Sequence, residues 1–260
     1  MSPSLRIATW NVNSLRVRLD HLLRWLDEAR PDVVCLQETK VTDDLFPAEA
    51  IQNAGWKHLA WHGQPTYNGV ALLSRHPLED VRKGFDDGVD DPQARLIAAT
   101  VKGVRIYGLY VPNGHAVGSD KFYYKLQWLD RFLALLREEA RAGDDVLVCG
   151  DLNIAPDDLD VWDPFEMEGK LLCHPEERRR LQDWMDWGLH DAFRIQAPFA
   201  CDYSWWDYRQ MGFERNHGLR IDHILVTDSL LQRCERVEIH RHSRGWEKPS
   251  DHAPVVVTFG

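Results

Sequence analysis

Gly150-Asp151-Leu152-Asn153 places a carboxylate and an amide two residues apart, directly after an apolar run. In an extended chain both side chains face the same way. An aspartate there can take a proton from water while the amide holds that water or a phosphate oxygen. An Asx-turn uses the same residue types, so the pair alone leaves chemistry and turn both open. Other polar residues follow apolar runs in the same manner: Asn11 and Asn13, Glu38, Tyr110 and Asn113, Asp222, and Asp251 with His252. Glu38 and Asp251 suit magnesium, which takes one or two carboxylates, keeps several waters and completes its shell with substrate phosphate. No His/Cys set has zinc spacing, which favours a hard cation on oxygen ligands. His252, with Asp222 to orient its ring, offers positive charge for a phosphate oxygen. Metal, activated water and a positive donor are what phosphodiester hydrolysis needs.

A second cluster is aromatic. Tyr203-Ser204-Trp205-Trp206-Asp207-Tyr208-Arg209 is followed by Arg215 and Arg220. Core packing accounts for many tryptophans. Interleaved Ser, Asp and Arg fit a surface loop that stacks on sugars or bases and grips phosphates.

These groups need strands to carry them to a sheet rim, where α/β folds build their sites. Residues 5–10, 32–36, 69–74, 94–101, 104–111 and 145–149 read as strands, with a hairpin turning at Lys102-Gly103. Between the first two, Leu19, Leu22, Leu23 and Leu26 repeat on one helical face, which Pro31 closes. A longer helix is expected from Ser119, as N-cap, to about Ala142, with Gly143 as C-cap. Phe122, Leu126, Leu129, Leu133 and Leu136 line its inner side. Residues 32–38 echo residues 145–151: each apolar strand follows a helix and runs into an acid. Two similar halves whose strand ends meet at a shared site would give that echo.

The chain of 260 residues is long enough for one large α/β domain spanning 1–260, and no linker or composition break divides it. Hydrophobic residues at 44% and charged residues at 28% fit a soluble globular protein. Residues 1–8 lack a signal-peptide pattern and no apolar run is long enough to span a membrane, so a cytoplasmic protein is expected. The five cysteines are too scattered for a metal knuckle, and Cys35 and Cys149 read as core thiols. A net charge of -10 excludes a uniformly basic nucleic-acid binder. It leaves room for a local cationic face, and metal-holding carboxylates themselves lower the sum. His240, His242 and the acidic run 86–91 are expected to be solvated surface.

Together the motifs resemble the exonuclease III family of apurinic/apyrimidinic endonucleases, within the endonuclease/exonuclease/phosphatase superfamily. The matching segments run in family order: Thr9–Asn13, Leu36–Lys40, Tyr110–Gly114, Gly150–Asn153, Ser204–Arg209, Arg220–His223 and Glu247–Pro254. The resemblance implies a four-layer α/β sandwich, two packed, mostly antiparallel sheets flanked by helices. It implies a Mg2+ site, with Mn2+ as a possible substitute, on Glu38, Asn11 and Asp251. Asp151, held by Asn153, would activate water, and His252 with Asp222 would contact the scissile phosphate, assisted by Tyr110 and Asn113. Trp205 and Ile221 would line a pocket for a flipped-out abasic sugar, with Arg209 as a further substrate contact. The implied substrate is double-stranded DNA with abasic sites or blocked 3′ ends, cut 5′ to the lesion or trimmed 3′ to 5′ by a monomer. Asn13 stands where some relatives carry aspartate, removing one possible metal carboxylate. A phosphatase or other phosphodiesterase of the superfamily shares the acidic core, but Tyr110–Gly114 and the Trp205 loop favour DNA repair. A catalytically silent nucleic-acid binder would not require Glu38, Asp151 and His252 together.

Overall fold

Strands that are apolar at successive positions must be covered on both faces, and helices and a second sheet supply that cover here. The computed structural model describes residues 4–260. The chain opens with β1 (Leu5–Asn11), α1 (Leu15–Ala29), β2 (Val33–Gln37), α2 (Ala48–Asn53), β3 (His58–His62) and β4 (Val70–Ser74). Next come β5 (Glu79–Lys83), β6 (Leu96–Val101), β7 (Val104–Tyr110), α3 (Asp120–Glu139) and β8 (Val146–Asp151). A helical stretch follows with α4 (Pro164–Met167), α5 (Pro175–Trp187), β9 (His190–Asp191) and α6 (Ala192–Gln196). The last elements are β10 (Trp205–Trp206), β11 (Gly218–Leu219), β12 (Asp222–Val226), α7 (Asp228–Leu231), β13 (Cys234–Ile239) and β14 (Val255–Phe259).

The larger sheets have six strands each, ordered β13-β14-β1-β2-β4-β3 and β5-β6-β7-β8-β12-β9. In each, a single parallel pair (β1 with β2, β7 with β8) is flanked by antiparallel neighbours. Each parallel pair is crossed by one long helix, α1 or α3, so the echo between residues 32–38 and 145–151 reflects two equivalent βαβ units. The sheets pack face to face: Ile7, Val33, Cys35 and Leu72 meet Ile97, Ile106, Leu147 and Cys149. Their alternate neighbours point outward, as the period of a strand dictates. Ala8, Val34 and Leu36 pack under Leu22, Trp25 and Leu26 of α1. Tyr107, Val146 and Val148 pack under Trp128, Leu129 and Phe132 of α3 and Trp184 of α5. The result is helix, sheet, sheet, helix, the four-layer arrangement expected. Among the described residues no helix is long and apolar enough to cross a membrane.

Three local expectations change. Ser119 does cap α3, accepting from the Phe122 N–H at 3.2 Å, but the helix ends at Glu139. Ala140 turns extended to enter the core, and Asp144 then captures the Arg141 N–H in a turn, so Gly143 caps nothing. On α1, Leu22 and Leu26 are buried, whereas Leu19 and Leu23 only flank the cluster that Leu15 and Trp25 complete. His240 is packed against Trp25, whose indole donates to its Nδ1 at 3.1 Å. The acidic run, by contrast, is exposed over residues 86–90 as expected, with Asp87 and the half-buried Asp91 paired to Arg131.

Candidate active site

The carboxyl ends of the two parallel pairs converge on one edge of the sandwich, the place where open α/β sheets bind ligands. Asn11 lies level with Gln37, one residue before Glu38, and Tyr110 lies level with Asp151. Two antiparallel strands start at this edge: β12 with Asp222 opposite Asp151, and β14 just after His252. One amide joins the sheets. Asn11 Nδ2 donates to Glu38 Oε1 and to Asp151 Oδ2, both at 2.9 Å.

Asp151 is buried, and its Oδ1 accepts the Asn153 N–H at 2.9 Å. Asn153 sits in the left-handed region (φ 51°), and its amide donates to Val111 O at 3.0 Å while accepting from Asn113 Nδ2 at 3.2 Å. The Gly150–Asn153 turn therefore aims side chains as well as turning the chain. Burial, opposed by His252 and reinforced by Asp222, lifts the Asp151 carboxyl to about 7. A carboxyl titrating near neutrality has the proton affinity that a general base needs.

His252 Nδ1 lies 2.8 Å from Asp222 Oδ2, and its Nε2 lies 3.7 Å from Asp151 Oδ2. Burial alone would lower the imidazole's pKa. Asp222 and then Asp151 outweigh it and hold the ring cationic to about 10. The Trp10 indole and Ser250 hydroxyl fix its backbone at 3.1 Å and 3.2 Å. Ser204 Oγ accepts from the Ile221 and Asp222 N–H groups. Tyr110 is kept protonated by burial and by the Glu38 and Asp151 carboxylates. Its phenol is therefore a donor facing the same cleft.

Ligand atoms of Glu38, Asp151 and His252 all lie within 4.8 Å of one another. A cationic imidazole has no lone pair for a metal, so the donors gathered here are the carboxylate oxygens of Glu38 and Asp151, a set suited to a hard divalent ion. Asn11 turns its Nδ2 to both, and its Oδ1 accepts the Asn13 N–H at 2.9 Å. Asp251 is placed differently from Glu38. Its Oδ1 accepts from Asn13 Nδ2 at 2.9 Å and its Oδ2 from the Trp205 indole at 3.0 Å. Lys40 Nζ bridges Glu38 at 2.8 Å and Asn13 Oδ1. Asn13 thus links Asp251 to Lys40 by hydrogen bonds.

The aromatic segment divides. Tyr203 and Trp206 are core, while Trp205 and Tyr208 reach the surface. Trp205 packs against a cluster containing Ile221, Leu172, Leu219 and Val161. Ile221 is only 2% exposed, and Leu172, a leucine at φ 72°, is buried in the same cluster. Arg209 stands apart from the cleft, its side chain 85% exposed and paired with Asp207 at 2.7 Å. Arg220 grips no phosphate: it is buried between Asp160 at 2.6 Å and Asp191 at 2.7 Å, bracing the start of β12. Sequence reasoning gave Lys40 and Trp10 no role of their own and read Ser204 as part of a surface loop, whereas Ser204 is buried. It also passed over Lys125, although its place three residues after Phe122 on the inner stripe of α3 marked it as a buried cation.

The profile of the Endonuclease/Exonuclease/phosphatase family matches residues 8–252. Exodeoxyribonuclease III of Haemophilus influenzae is 38% identical over 98% of this chain and 100% of its own. A structure of the 3′ phosphatase NExo from Neisseria bound to product DNA hairpin superposes with a TM-score of 0.96 at 44% identity, covering 98% of this chain and 99% of the other. An AP endonuclease structure from Archaeoglobus fulgidus gives 0.94 at 38% identity over the same shares.

Proposed function

This chain belongs to the endonuclease/exonuclease/phosphatase family, and from that premise we propose that it is a DNA-repair phosphodiesterase acting on abasic sites and blocked 3′ ends. The observation that carries the reading is the Asn11 amide holding Glu38 and Asp151 together, with a cationic His252 3.7 Å from Asp151. One cleft thereby combines a base, a positive donor and an oxygen ligand set.

Asp151 takes the proton of a water molecule as that water's oxygen bonds to phosphorus, and Asn153 keeps the carboxylate aimed. His252 and Tyr110, with the Asn113 amide, donate to phosphate oxygens whose charge grows in the transition state. The bond from phosphorus to the 3′ oxygen breaks, and that oxygen leaves as a hydroxyl after gaining a proton from solvent. The same bond breaks whether the phosphorus is internal, 5′ to an abasic sugar, or a terminal 3′-phosphate, so one site serves both reactions. Family members use divalent metals, and Mg2+ on Glu38, with Mn2+ as a substitute, would neutralise charge on the phosphate, the Asn11 amide joining in once its oxygen turns from the Asn13 N–H toward the ion. Asp251 would join this metal end through Asn13 and Lys40, which reach Glu38.

The closed pair of Ile221 and Leu172 beneath the half-buried Trp205 favours 3′-end processing as the faster activity, because an extruded sugar stacking on Trp205 must displace the packed side chains under it. The protein is expected to work as a single-domain monomer in the cytoplasm.

The deciding experiment uses two labelled duplexes, one with a tetrahydrofuran abasic analogue and one nicked with a 3′-phosphate, each with magnesium or EDTA. Magnesium-dependent release of 3′-hydroxyl ends from both supports the reading. Failure on both, with small phosphate esters hydrolysed instead, would make the protein a phosphatase of another substrate class.

A further inference from the structure

α3 presents an inner stripe of Phe122, Leu126 and Leu129, and Lys125 lies on that stripe with its side chain fully buried. Its ammonium has three hydrogens, and three acceptors meet them. They are Asn153 O at 2.6 Å, Asn113 O at 3.3 Å and the Glu177 carboxylate. Glu177, also fully buried, comes from α5, and its second oxygen accepts the His174 N–H at 3.0 Å to close the cap of that helix. The pair therefore ties two helices to two loops, and each ammonium hydrogen and each carboxylate oxygen has a partner.

A buried ion pair gives little stability over an apolar pair of the same volume. What this pair does that apolar side chains cannot is fix two peptide groups, those of Asn113 and Asn153. These residues hydrogen-bond to each other through their amides at 3.2 Å, and the N–H of Asn153 orients Asp151 at 2.9 Å. Gly114, next to the Asn113 carbonyl, is at φ 97°, and a Cβ there would lie 3.3 Å from the Lys125 chain. The loop is thus drawn close onto the lysine.

We infer that Lys125, held by Glu177, is a positioning residue for the hydrolysis. From beneath the site it anchors the carbonyls of Asn113 and Asn153 so that both amides and Asp151 stay aimed at the phosphate. This rests on the proposed function. The ammonium itself never touches DNA, so its loss acts on the chemical step and leaves binding intact. Supporting groups of this kind change rates by about 10- to 100-fold when removed.

The test compares wild type, Glu177→Gln and the double variant Lys125→Met with Glu177→Leu. Single-turnover rate, Kd for a 3′-phosphate duplex in EDTA, and Tm are measured for each. The expected result is a single-turnover rate down by about 10- to 100-fold in the double variant and by a smaller factor in Glu177→Gln. Kd stays within about threefold and Tm within a few degrees, because the double variant leaves no unpaired buried charge. An unchanged rate overturns the inference, as does a rate loss matched by equal losses in binding or stability. If the double variant does not fold, Glu177→Gln decides on rate against Kd, below its own Tm, because it leaves Lys125 charged without a carboxylate and a lower Tm is expected of it. A rate loss at unchanged Kd supports the inference, and an unchanged rate or an equal loss of binding overturns it. A wild-type protein that cannot cut DNA would sink the functional reading instead, and the same series would then be run on bis(nitrophenyl) phosphate.

Discussion

Replacing Asp222 with asparagine removes one charge from the site and almost no volume. Asp222 Oδ2 lies 2.8 Å from His252 Nδ1, both side chains being at most 4% exposed. Burial pushes the imidazole down, and Asp222 is the largest of the groups that reverse this and raise the ring from 6.5 to about 10. Without it, burial is opposed mainly by Asp151, and the ring falls back toward or below 6.5. At about pH 8 a ring titrating near 10 is ~99% cationic, and one titrating near 6.5 is only ~3% cationic. The rate of 3′-phosphate removal should therefore drop by roughly 30-fold at that pH, and the gap should widen about tenfold per pH unit until the wild-type ring titrates. In a pH–rate profile the wild type rises as Asp151 ionises near 7 and holds its plateau to about 10. The variant should instead decline from about neutrality. Stability carries the same sign. A folded pKa above the unfolded value stabilises fully below pH 6.5 and ceases to do so as pH rises through 10. The Tm deficit of the variant should thus be largest at or below neutrality and shrink in alkali. A variant whose profile runs parallel to wild type at every pH would refute a cationic His252 sustained by Asp222.

Other perturbations reach other parts of the cleft. EDTA should abolish activity and added magnesium restore it; activity that survives chelation removes the metal from Glu38. Asp151→Asn should slow cleavage by about 10²- to 10⁴-fold in single turnover while DNA is still bound, and a near-normal rate would place the base elsewhere. Trp205→Ala should reduce incision at an abasic analogue, measured on a denaturing gel, and an unchanged rate denies Trp205 a part in seating the sugar. Leu172→Gly removes a side chain at φ 72° and opens the space beside Ile221. It should raise abasic incision relative to 3′-phosphate removal, and a constant ratio of the two rates would show that Leu172 does not gate the sugar.

Much of this cleft was legible in the sequence because most of its polar groups sit at or just past the end of a strand. A run of apolar residues ending in Asn11, Glu38, Tyr110 or Asp151 fixes both the element and the rim position of the group after it. The two βαβ units repeat that signal, so the meeting of Glu38 and Asp151 was legible as well. Helix ends were less so: Ala140 leaves α3 because the core receives its methyl group, which no local pattern records. Arg220 followed a run of exposed-looking residues and read as a phosphate grip, yet its partners Asp160 and Asp191 lie far away in sequence and enclose it. Leu172 was invisible for a related reason. Its effect comes from Ile221 and Trp205 packing beside it, a contact set by tertiary structure alone. Arg209 sits in the expected segment, but its nearest acid, Asp207, engages it first.

The order in which strands join the first sheet has a consequence for biosynthesis. β14 inserts between β13 and β1, pairing Phe259 with Leu5, and the segment just before it carries Asp251 and His252. A nascent chain still short of this segment already holds Glu38 and Asp151, yet has no imidazolium for the phosphate and no cover for one side of β1. A fragment cut before Asp251 is therefore expected to lack both the imidazolium and the β14 partner of β1. The same gap in the sheet leaves one edge of β1 unpaired along Leu5–Thr9 in such fragments, an open edge onto which another strand can add.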